Sequence, residues 1–220
     1  MGEASEPIVK LFVWFDISAE VITMFVMIAV VAVVSLIVTR NLKERPGKFQ
    51  NMIEAAVEYL DNFFTDILGK KYARKYLFYL ASLFAFIIIA NYSGLIPGVG
   101  YFRWFKAPTS SLSVTLGLSI CTFFFIQIAG ISMGAKHYLK HFLTPIVPLI
   151  LMDEFIKPAS LALRLFGNIF GEETVLENLY NIIPIGAPLI MMALSLIFCA
   201  IQAMVYTMLT ASYLEEFIEE

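Results

Sequence analysis

Charge is missing from long stretches of this chain. No Asp, Glu, Lys or Arg occurs in Val21–Val38, Tyr76–Tyr101, Ala107–Ala135 or Asn178–Leu214, and the last of these runs is 37 residues long. A water-facing fold keeps polar and charged groups spread over its surface, so gaps of this length exclude an ordinary soluble domain. About 20 apolar residues suffice to cross a bilayer core, and the gaps therefore read as membrane helices. Cysteine is also scarce. Cys121 and Cys199 stand alone in apolar runs, without His or acidic neighbours. They read as small hydrophobes, and neither a disulfide framework nor a metal site is expected. No phosphate loop, nucleotide motif, internal repeat or low-complexity segment is present. This leaves no basis for bond-making chemistry by this chain alone, for a cofactor, or for nucleic-acid binding. The first 20 residues carry Glu3, Glu6, Asp16 and Glu20 without a basic leader, and position 6 is not Ser or Thr. Neither a cleaved signal nor myristoylation is expected.

What is present is apolar and helical in pattern. Hydrophobic residues make up 60% of the 220 positions, charged residues 15%, and mean hydropathy is +0.81. The net charge of −3 matters less than where the charges sit. The expected fold class is all-α: a multi-pass transmembrane protein of about five spans plus one interfacial amphipathic helix, in a single membrane domain over 1–220. An N-terminal segment, 1–19, precedes a first span at 20–39. Over 51–68, Glu54, Glu58, Asp61 and Asp66 recur at helical spacing among Ile53, Val57, Leu60, Phe63, Phe64 and Ile67. That stretch is too charged to span and reads as a helix at the interface. A second span is expected at 76–96, ended by Pro97 and Gly98, and Tyr101 and Trp104 then suit a membrane–water boundary. The third span is 110–134. The fourth, 144–176, and the last, 184–214, are long enough to require strong tilt, and together they form a hairpin.

Ten of the 15 basic residues fall in three clusters, at 40–48, 70–75 and 136–140. Five spans with these clusters on one side place the N-terminus outside and the C-terminus inside the cell.

The fourth span carries the chemistry. Arg164 lies among Leu161, Ala162, Leu163, Leu165 and Phe166. A cation at that depth costs roughly 2.5–3.5 kcal/mol by insertion scales, and a guanidinium does not escape by losing its proton. With ~100° per residue, Asp153, Lys157, Arg164 and Asn168 share one stripe, while Glu173 points the opposite way about 14 Å further along the axis. Glu177 lies one turn beyond. Two polar faces on one membrane helix suggest water arriving from two directions. Asp153, Glu154 and Lys157 also fit ordinary ion pairs at a boundary, and Glu172, Glu173 and Glu177 fit side chains reaching for the interface. Apart from the ends of this helix and Glu20 at the very start of the first span, the spans contain no acid, so the partner of Arg164 is expected on another subunit. On the last span, Ser195, Gln202 and Tyr206 fall near one face, and Gln202 needs a hydrogen-bond partner, for which Asn168 or Arg164 would serve. His137 and His141 sit among lysines and read as solvated loop residues.

The segment SLALRLFGNIFGEE at 160–173, with IQAMVYTMLTASYL at 201–214, NYSGLIPG at 91–98 and APTSSLSVTLGLS at 107–119, resembles subunit a of the F-type ATP synthase membrane sector. The resemblance covers the chain after about residue 50. It implies a stator beside a rotating c-subunit ring, providing two offset aqueous half-channels, with a peripheral stalk of b subunits and the rest of the synthase as partners. Carried over, Arg164 faces the ring carboxylates, Asn168 lines the same surface, Glu173 is the acid of the outer channel and Gln202 the last-helix glutamine. Glu172, Ser195, Ser111, Ser113 and Tyr206 are further candidates for channel lining. The chain departs from the family pattern at several of these. Ser111 and Ser113 stand where many members have Asp and Asn, Ser195 stands where His or Glu is frequent, and Glu172 is an additional acid. A bacterial plasma membrane is the expected location. The coupling ion, H⁺ or Na⁺, belongs to the ring and is left open. The competing class is a secondary transporter or channel in which Arg164 binds an anionic substrate, although such folds usually show internal repeats. A membrane scaffold would leave Arg164 without a role.

Overall fold

The computed structural model describes residues 9–12, 15–17, 19–40, 47–95, 107–133, 147–182 and 186–219. Expectations for Pro97, Tyr101, Trp104, His137 and His141 fall outside them. A short antiparallel pair, β1 (Val9–Phe12) and β2 (Phe15–Ile17), sets Val9 opposite Ile17 in the segment to which the sequence assigns no element. Everything after it among the described residues is helical: α1 (Ala19–Arg40), α2 (Lys48–Ser93), a 3-10 turn (Pro108–Ser110), α3 (Leu112–Met133), α4 (Val147–Ile182) and α5 (Ala187–Glu219).

Among the described residues, three helices satisfy length and apolarity together, in the stretches Gln50–Ser93, Leu112–Ser132 and Ala187–Ile218. The multi-pass helical fold is as expected, with three such helices against the roughly five spans read from the sequence. Helix α1 is 22 residues long, about 33 Å, but its continuous apolar run is described only over Val21–Val33. Helix α4 has the length, 36 residues, and fails on charge, because Asp153, Glu154, Lys157, Arg164, Glu172, Glu173 and Glu177 all lie within it. Its ends also differ from the expected ones: α4 runs on to Ile182 and α5 to Glu219, so the acidic residues after Leu214 continue the helix.

Helix α2 joins the stretch expected at the interface to the span that follows. The two limbs meet at Gly69, where φ is 72° and ψ 155°. That region of backbone space is essentially open to glycine alone, so one residue bends the chain between the charged limb and the apolar one.

Helix α5 runs through the centre. Near its end, Ala211 and Leu214 pack with Leu60, Phe64, Leu68, Ala73, Tyr76 and Leu80 of α2 and Ala129 of α3. In its middle, Ala203 and Tyr206 meet Leu83 and Ile87 of α2 and Leu161 and Leu165 of α4. Further back, Cys199 meets Ile169 and Ala107. The 3-10 turn is buried throughout, and Gly94 lets the end of α2 approach it: a Cβ there would stand 3.0 Å from that of Ala107. The two motifs that contain these residues therefore pack against each other.

Gly69→Val tests the bend. Nothing lies within 4 Å of the added Cβ, so the loss comes from the backbone, about 1–3 kcal/mol. A lower unfolding midpoint of the purified protein in detergent is expected, and an unchanged midpoint counts against a bend that depends on glycine.

Candidate functional site

The candidate residues gather along the α4–α5 hairpin. On α4, Leu161, Ala162, Leu165 and Ile169 take the buried face, which rotates Leu163, Arg164 and Gly167 outward. Arg164 is exposed on this chain and, among the described residues, has no carboxylate partner. Its neighbours on that surface are apolar: Leu163 is 58% exposed. A guanidinium thus stands on a greasy surface, with no carboxylate among the described residues to answer its charge.

Two turns further along α4 the polarity turns inward. Glu172 is 9% exposed and accepts hydrogen bonds from Asn168 Nδ2 at 3.2 Å and from Cys199 Sγ at 3.6 Å. Ser195, fully buried on α5, has no hydrogen-bond partner for its Oγ among the described residues. Glu173 is half-buried and makes no polar contact among the described residues. Of these two adjacent acids the buried one is Glu172, one residue before the acid that the sequence resemblance selects.

Ser195, Gln202 and Tyr206 share the buried face of α5, as their spacing predicts. The pairing expected for Gln202 does not form. Its Nε2 has no partner among the described residues, because Asn168 turns to Glu172 and Arg164 faces outward. Tyr206 is a cross-brace: its hydroxyl lies 3.4 Å from Thr122 Oγ1, which also accepts from Tyr79 at 3.3 Å, linking α2, α3 and α5. Ser111 is half-buried before α3 and Ser113 is exposed.

Sequence reasoning missed Asn91 and Thr109. Each is 1% exposed, and among the described residues neither the amide atoms of Asn91 nor Thr109 Oγ1 has a partner. They lie on the two segments that meet at Gly94 and Ala107. An amide inside an uncharged apolar run was the available signal, since such groups seek hydrogen bonds in a membrane. Buried polar atoms left unpaired each cost about 1–3 kcal/mol, unless water reaches them. Ser195 Oγ and Gln202 Nε2 on α5, and Asp61 Oδ1 and Tyr76 Oη on α2, are likewise buried without a partner among the described residues. The acids expected as an ion-paired group also separate. Lys157 binds Glu154 at 3.0 Å and, from the far end of α5, Glu216 at 2.6 Å, whereas Asp153 is exposed. Among the described residues no cluster of His, Cys, Asp and Glu has the composition to hold a metal ion.

Residues 21–215 match the family described as ATP synthase A chain. Similar curated proteins are each named ATP synthase subunit a. That of Moorella thermoacetica is 38% identical over 205 residues, covering 91% of this chain and 90% of that protein. The Trichlorobacter lovleyi protein is 36% identical over 213 residues, 93% and 90% of the two chains. The Geobacter sulfurreducens protein is 35% identical over 203 residues, 89% and 86%.

Gln202→Leu removes a buried nitrogen that no group among the described residues satisfies. Its unfolding midpoint in detergent is expected to hold or to rise, by up to about 1–3 kcal/mol. A clear fall would show that the amide is already well bonded.

Proposed function

This chain belongs to the ATP synthase A chain family, and from that premise we propose that it is the membrane-sector stator subunit through which ions pass to turn a rotor. The observation that carries the reading is Arg164, exposed on an apolar surface without an acidic partner among the described residues. A ring of c subunits would bring carboxyl groups past it one at a time. A protonated carboxyl is neutral and crosses lipid at little cost, whereas an ionised one does not. Opposite Arg164 the ionised form is favoured, so each carboxyl gives up its ion there and takes one up before it returns to lipid. The same fixed positive charge opposes direct passage of an ion between two water paths. A membrane potential supplies about 2.3 kcal/mol per charge per 100 mV, which biases the rotation.

The path on one side of Arg164 would run along Asn168, Glu172, Ser195 and Gln202 and on to Asn91 and Thr109. Glu172 has the buried polar surroundings that suit an ion-carrying acid, and Glu173 would stand at the mouth of the same path with Ser111 nearby. The unpaired polar atoms along this line support a hydrated route. The peripheral b subunits would hold the stator against the torque. The basic clusters support a cytoplasmic C-terminus, in a bacterial plasma membrane.

Arg164→Ala is expected to abolish ion-driven ATP synthesis in membrane vesicles while the assembled complex remains detectable by subunit content. Coupled synthesis at the wild-type rate would overturn the reading. Liposomes containing this chain alone are expected to take up no organic anion; uptake would favour a transporter. Glu172→Gln is expected to slow passive proton flux per assembled complex about tenfold, and more than Glu173→Gln does. The reverse order would move the ion path to the other face of α4.

A further inference from the structure

One buried charged cluster plays no part in that path. Lys157 Nζ bonds Glu154 Oε1 at 3.0 Å and Glu216 Oε2 at 2.6 Å, and it lies 5.4 Å from the centroid of the Tyr213 ring. The other carboxylate oxygen of Glu154 accepts a hydrogen bond from Gln127 Nε2. Three helices therefore meet at one point: α3 through Gln127, α4 through Glu154 and Lys157, and α5 through Tyr213 and Glu216. Beside it, Phe123, Ile126, Pro158 and Leu161 form an apolar wall. Side-chain exposure is 17% for Lys157 and 7% for Glu154 against 41% for Glu216, so most of the cluster is withdrawn from water.

The position of the cluster gives it a role. At one end the α4–α5 hairpin is joined by the chain itself, through the turn at Gly186, whose φ is 98°. At the other end no covalent link exists, and there Lys157 faces Glu216. Lys157 is two turns before Arg164 on the same helix, about 10 Å along the axis. On the far side of Arg164 the next polar contact between the two helices is Glu172 with Cys199. The arginine thus projects from a stretch of α4 fixed above and below it.

We propose that Lys157 is a positioning residue. With Glu216, Glu154 and Gln127 it clasps the open end of the hairpin and sets the height and rotation at which Arg164 meets the rotor. This rests on the stator reading of Arg164. A helix released at that end can turn about its axis or slide, and an arginine out of place lets rotor carboxyls pass without exchanging their ions. The failure is then one of coupling: ATP hydrolysis turns the rotor while fewer ions cross. The two sides of the clasp also differ. Removing Lys157 leaves Glu154 and Glu216 facing each other with no cation, whereas removing the charge of Glu216 leaves a neutral Glu154–Lys157 pair.

The test uses the whole complex in proteoliposomes, with proton pumping and ATP hydrolysis measured together. Protons pumped per ATP hydrolysed are expected to fall about fivefold in Lys157→Met and about twofold in Glu216→Gln, with hydrolysis retained. The charge-exchanged double variant K157E/E216K is expected to recover most of the loss. Unchanged pumping per ATP in Glu216→Gln overturns the proposal, and so does a double variant no better than K157E alone. Pumping and hydrolysis falling in parallel overturns it too, because the cluster then carries ions and does not position the arginine. If Lys157→Met fails to assemble, Glu216→Gln and the double variant decide alone. Arg164→Ala in the same vesicles separates the two readings: loss of pumping there with intact coupling in the clasp variants rejects the clasp only, while continued pumping rejects the stator reading and the clasp with it.

Discussion

A cation that keeps its charge, on a helix that must lie in lipid, constrains everything around it. Arg164 is not neutralised within the described part of its own chain, and the helix that bears it carries too many charges to qualify as a membrane span unaided. Helix α4 is therefore held in place by others. Leu161 and Leu165 pack against Ala203 and Tyr206, and Ile169 packs near Cys199 and Ala107. That packing turns the arginine outward, because a helix that buries positions 161, 162, 165 and 169 has little choice over where 164 points. Burying one stripe of α4 is what exposes the charge on the other.

The same rotation decides which acid is buried. Glu172 and Glu173 differ by about 100° around the helix, and the residues that take the core face carry Glu172 inward to Asn168 and Cys199. Elsewhere Ser195, Gln202, Asn91 and Thr109 bury polar atoms that have no partner among the described residues. A fold selected for stability alone would fill such positions with apolar side chains, since an unpaired buried polar atom costs more than the hydrogen bond it forgoes. In the ion-path reading proposed above, such atoms are groups that water reaches. In another part of the bundle Tyr79 stacks on Phe125 with ring centroids 3.5 Å apart, and its hydroxyl bonds Thr122, which also meets Tyr206.

Much of this could be read before any coordinates. Charge-free runs mark where helices must be, and a seven-residue spacing places Ser195 and Gln202 on one face. What stayed hidden depends on contacts between distant segments. Nothing local shows that Gly94 lies against Ala107, so the burial of Asn91 and Thr109 was not foreseen. The partner of Gln202 was misjudged because Asn168 has a nearer one, four residues along its own helix. Tyr206 was grouped with the channel candidates by spacing, but its hydroxyl is engaged by Thr122, a residue 84 positions away. The additional acid, Glu172, counted as a departure from the family pattern. In three dimensions it is the acid with polar company.

The hairpin shows why the distant contacts matter to a machine of this kind. In the proposed mechanism each ion transferred releases about 2.3 kcal/mol per 100 mV, so contacts that hold Arg164 in place must not be weaker than that. An exposed ion pair contributes about 0–1 kcal/mol and would give way. A pair mostly withdrawn from water, with a second acid and an amide fixing the geometry, is stiffer, because breaking it strands charge in an apolar setting. Lys157 has these surroundings, and Glu216 reaches it from the end of a helix whose final turns look, in sequence, like a solvated acidic tail. That the hairpin is tied by the backbone at one end and by charge at the other follows from its topology: two antiparallel helices joined once always have a free end, and here the free end is the one nearer to Arg164.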